Sequence, residues 1–106
     1  MKVSVIHAAF GDTPHVVAFV DVPDGTDDMK AMEYAYRWTN NVMGSWSRKE
    51  KFFEDGSENG DYNENVTVMA PLHKDGMGLR STSMGDQMLV GTKKYEVAMF
   101  GFEEIA

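Results

Sequence analysis

The chain contains no cysteine. That excludes disulfides, thiolate zinc sites and cysteine nucleophiles together. Apolar runs of the roughly 20 residues needed to span a bilayer are also absent. The N-terminal stretch MKVSVIHAAFGDTPH lacks the longer apolar core and small-residue cleavage site of a signal peptide, so a cytoplasmic location is expected. Positive charge is scarce: ten Lys and Arg stand against seventeen Asp and Glu, a net charge of −7. Phosphate recognition needs a basic footprint, so direct binding to nucleic acid is not expected, nor is binding to a membrane. An acidic surface suits a basic protein partner instead.

Catalytic signatures are missing as well. There is no G-x-S-x-G, Walker or kinase motif. The stretch GMGLR (76–80) has two glycines but no helix pattern after it, so it is not a nucleotide fingerprint. His7, His15 and His73 show no metal-ligand spacing, although pairing of the first two strands would bring His7 and His15 together. No enzyme activity, cofactor or metal is assigned.

What is present fits one domain over residues 1–106, long enough to bury one core. KVSVIHAAF (2–10) and HVVAFVDV (15–22) read as strands separated by the turn signal GDTP. In the second, Val16, Ala18, Val20 and Val22 alternate with Val17 and Phe19, which predicts a central strand with apolar residues on both faces. Residues 23–42 read as a turn and then a helix, capped by Thr26 or Asp27. Met32, Ala35, Tyr36 and Thr39 form its inner stripe, widened by Ala31, Tyr34, Trp38 and Val42. Residues 44–65 are an irregular polar and acidic loop. NVTVMAPL (65–72) is a third strand, Asp75-Gly76 a hairpin signal, and QMLVG with KYEVAMFGFEEI a C-terminal β-hairpin. The order β-β-α-loop-β-β-β predicts an α+β fold: a mostly antiparallel sheet of about five strands with one main helix packed on a face. Nine methionines serve either an adaptable core or a soft binding surface.

The acidic loop is the main candidate site. Glu54, Asp55, Glu58, Asp61 and Glu64 crowd into eleven residues and read as solvated, so the loop is expected to be dispensable for folding. Trp46, in MGSWS, is either an anchor for the loop or an exposed partner contact. Asp55, Ser57, Asn59, Gly60 and Asp61 match positions of a calcium loop, but Val66 stands where the bidentate glutamate belongs, so no metal site is assigned. RSTSMGD (80–86) reads either as an anion grip or as the entry to a hairpin. The hairpin reading is preferred, with Gly85 in a positive-φ turn and Arg80 paired to a carboxylate.

The run LRSTSMGDQMLVGTKKYEVAMFGFEEI (79–105) resembles a C-terminal module of small uncharacterised phage and plasmid proteins. The matching residues are Arg80, Ser81, Ser83, Gly85, Asp86, Tyr95, Gly101, Phe102 and Ile105, and residues 31–46 resemble the helix region of such proteins. The resemblance implies a mobile-element origin and supplies no catalytic residue. The expected function is an accessory protein that binds and inhibits or modulates a host protein in the host cytoplasm. Defence or nucleic-acid-processing complexes are the expected targets, because their working surfaces are basic. The expected contacts are Glu54, Asp55, Glu58, Asp61, Glu64 and Trp46. Two rivals are a small ligand-binding protein or enzyme built around Arg80 and the histidines, and a self-associating accessory protein such as a homodimer.

Overall fold

Alternation organises the first strand. In β1, Lys2–His7, Val3, Val5 and His7 turn inward while Lys2, Ser4 and Ile6 turn out. It pairs antiparallel with β2, His15–Asp21, as the GDTP turn predicts. A bulge breaks the second strand's alternation. Val5 faces Ala18 but Ile6 faces Val16, so Val17 is the extra residue. Val17 and Ala18 are therefore both buried, and Val16 is turned outward instead of joining Ala18 and Val20. The structure, a computed structural model, describes residues 1–71 and 78–105.

The helix α1 spans Asp28–Trp38. Asp27 caps it by accepting a hydrogen bond from Lys30 N–H at 2.9 Å, and Asp28 places a negative charge in the first turn. At the other end, Thr39 folds its hydroxyl back onto the Ala35 carbonyl. Ala31, Met32, Ala35 and Thr39 are buried, as the stripe predicts. Tyr36 and Val42 are exposed, because the helix stops before its pattern can carry Val42 inward.

The remaining strands are β3 (Val66–Val68), β4 (Gln87–Val90), β5 (Lys93–Ala98) and β6 (Gly101–Ile105). All six strands form one antiparallel sheet in the order β3-β2-β1-β4-β5-β6. The α+β architecture is as expected, with six strands among the described residues where about five were read. The extra strand arises because the last apolar run turns at Met99 and Phe100, which are exposed, and Gly101 resumes the chain at φ +97°. Phe102 consequently sits opposite Val97 on the same face, where one uninterrupted strand would put them on opposite faces. His73 and the Asp75-Gly76 signal lie outside the described residues.

One face of the sheet carries the core. Val3, Val5, Val20, Val66, Met88, Val90 and Val97 pack with Ala31, Met32 and Ala35 of the helix and with Trp46. The other face carries a row across all six strands: Thr67, Phe19, Ser4, Leu89, Lys94 and Ile105, exposed or half-buried. Among the described residues no helix is long and apolar enough to cross a membrane.

Candidate functional site

The segment between α1 and β3 has little regular structure, so its backbone polar groups need partners from side chains. Asp61 supplies most of them. One carboxylate oxygen accepts the N–H groups of Val42, Met43 and Gly44 at 2.7–2.9 Å, and the other accepts Arg37 at 3.2 Å. Asn59 completes the frame: its amide oxygen accepts from Ser45 N–H and Asp61 N–H, and its amide nitrogen donates to the carbonyls of Ser45 and Glu50. Lys49, at positive φ, donates to the carbonyls of Asn63 and Val66, and burial pushes its ammonium pKa down against the pull of Glu64. Tyr34 of α1 accepts from Asn63 and Asn65, tying the loop's end to the helix.

This frame sorts the predicted contact residues. Glu54, Asp55, Glu58 and Glu64 are exposed, and none belongs to an ion pair among the described residues. Asp61 is fully buried and Trp46 is 1% exposed, so neither can meet a partner at the surface. Asp61 is taken up by backbone N–H groups. Trp46 is the loop's anchor, its indole N–H donating to the Arg80 carbonyl at 2.9 Å. The loop is therefore not dispensable as a whole, since its inner side belongs to the fold. The calcium reading fails on the same geometry. Asp55 closes a local turn onto Ser57, while Asn59 and Asp61 face inward to other partners.

The RSTSMGD stretch is a hairpin entry held by an internal ion pair. Asp86, fully buried, accepts the N–H groups of Ala8, Ala9 and Ser83 and a bidentate grip from Arg80 at 2.7 and 2.8 Å. Burial alone would raise its pKa. The Arg80 guanidinium and those N–H groups overcome that and hold the carboxyl well below the usual range. Arg80 also binds Asp12 and lies 4.9 Å from the Phe10 ring. The two carboxylates, Asp86 foremost, raise its pKa against the effect of burial. Its five N–H donors are all engaged: two by Asp86, two by Asp12 and one by the Ser81 carbonyl. Arg80 thus has no donor left with which to grip an external anion.

Sequence reasoning missed an apolar groove of about 720 Å³ whose walls include Phe10, Tyr36, Met84 and Met99, with Glu96 beside them. Among the described residues Met29, Met43, Met69, Met84 and Met99 are exposed, whereas only Met32 and Met88 are fully buried. Methionine abundance was the available signal, and it marks surface more than core. No family model, no curated protein and no solved structure matches the chain.

Proposed function

We propose that the protein acts by contact, presenting a fixed acidic platform to the basic surface of a partner protein and blocking or redirecting it. The observation that carries this reading is the division of labour in the acidic loop. Asn59 and Asp61 lock its inner side, while Glu54, Asp55, Glu58 and Glu64 point to solvent. A loop already ordered loses less conformational freedom on binding, so more of its interaction energy appears as affinity. Unpaired carboxylates also steer a basic partner at long range. The resemblance to phage proteins makes a host protein the expected partner, with defence and nucleic-acid-processing complexes the first to examine.

The test is differential capture from bacterial lysate. Wild type is compared with a variant carrying Glu54→Gln, Asp55→Asn, Glu58→Gln and Glu64→Gln, after both are shown to melt alike. A basic protein enriched by wild type and lost with the variant is the expected result. Equal capture by both would overturn the acidic-platform reading.

A further inference from the structure

A second cleft, of about 300 Å³, is lined by His7, Phe10, Asp12, His15, Leu79 and Arg80. Its hydrogen-bonding character follows from which protons are already committed. The Ala35 carbonyl can only accept, so the Thr39 hydroxyl donates to it, the Thr82 hydroxyl donates to Thr39, and Thr82 must accept from His7. His7 therefore carries its proton on Nε2, and Nδ1 is a lone-pair acceptor. His7 is 2% exposed, lines the cleft, and its Nδ1 has no hydrogen-bond partner among the described residues. Burial lowers the His7 pKa to about 4 despite the neighbouring Asp86, so this acceptor persists at neutral pH. The same logic applies to His15: its Nδ1 lies 2.8 Å from the Thr13 carbonyl and donates to it, so the neutral ring offers Nε2 as an acceptor. The two imidazoles are edge to face, 6.3 Å between centroids. Asp12 uses only Oδ2 for Arg80, and Oδ1 has no partner among the described residues. Arg80 has no N–H to spare.

We propose that this cleft binds a primary ammonium group, on a free small amine or a lysine side chain, through His7 Nδ1, His15 Nε2 and Asp12 Oδ1. Three acceptors line one cleft and match in number the three N–H donors of such a group. Arg80 balances one of the two nearby aspartates, which leaves the cluster one negative charge for the cation. Arg80, the cationic side chain lining the cleft, has its N–H groups committed and none free for an anion. A metal ion needs its ligands at about 2.0–2.2 Å, and no three such side chains among the described residues stand close enough to share one. Hydrogen bonds to an ammonium span about 2.7–3.2 Å and tolerate the wider spacing. The volume suits a small group.

The experiment is an NMR titration of the imidazole nitrogens with methylammonium, Nα-acetyl-lysine amide, tetramethylammonium and zinc. Saturable shifts of His7 Nδ1 and His15 Nε2 are expected with both primary ammonium probes, and whichever binds more tightly assigns the source. Asp12→Asn should weaken binding at least ten-fold, and His15→Phe, at an exposed position, should do the same. The variant lacking the exposed loop acids should bind as wild type, which separates this site from the acidic platform. Equal shifts with tetramethylammonium, which has no N–H, would overturn the proposal. So would stoichiometric zinc binding on the two nitrogens without any response to methylammonium, or no saturable shift at all.

Discussion

Asp61 and Asp86 solve one problem in two places, each turning irregular backbone into fixed structure by gathering N–H groups and one arginine around a buried carboxylate. Removing such an acceptor strands its donors. Asp61→Ala should destabilise the protein by about 3 kcal/mol or more, measured by denaturant unfolding, because Val42, Met43, Gly44 and Arg37 all lose their partner. The four exposed acids should behave oppositely, and neutralising them together should leave the melting midpoint in place. His7 gives a pH signature. Its pKa falls from the ordinary 6.5 to about 4, chiefly by burial, so between those values the unfolded chain binds more protons than the folded one. Stability from this group is complete above pH 6.5 and declines as the pH falls toward 4, by about 3 kcal/mol in all. Unfolding curves at pH 7, 5.5 and 4.5 should show this decline in wild type and a flatter one in His7→Gln. Equal slopes would remove His7 as the cause.

At the scale of elements, close approaches decide more than propensities do. Gly44 lies where the loop backbone passes over Asn59, and a Cβ there would overlap the Asn59 amide oxygen. Gly44→Ala should cost about 1–3 kcal/mol in the same unfolding assay, through a displaced Asn59 and loosened loop. Phe102 in β6 is half-buried against the core and meets Tyr36 edge to face at 6.3 Å. Phe102→Ala should therefore cost about 1–3 kcal/mol, below the 3–5 typical of a fully enclosed Phe. Much of this layer was legible in the sequence. The Asp27 cap, the first hairpin and the Arg80–Asp86 turn follow from local chemistry that a short window contains. The bulge at Val17 and the turn at Met99 and Phe100 were not legible. A bulge shifts register without a marker residue, and two large apolar side chains at a turn look like more strand. Trp46 and Asp61 were misassigned for a related reason: a polar window does not reveal which of its members turns inward.

At the scale of the whole molecule, charge and exposed apolar surface are separate resources. All three arginines are paired with acids: Arg37 with Asp61, Arg80 with Asp12 and Asp86, and Arg48 with Glu50 at the surface; no lysine belongs to an ion pair among the described residues. Carboxylates still outnumber cations to a net charge of −7, and the exposed Glu54, Asp55, Glu58 and Glu64 belong to no ion pair among the described residues. None of this is marked by a motif, so the acidic balance was readable from composition while its rigid presentation was not. The most direct test of the acidic platform is the association rate with the captured basic partner, measured by surface kinetics at about 50 and 300 mM salt. Across that range the screening length shortens from about 14 to about 6 Å. The account predicts a rate at least ten-fold lower at the higher salt, a similar loss for the four-acid variant at low salt, and dissociation changed far less. An association rate indifferent to both salt and the four acids would contradict it.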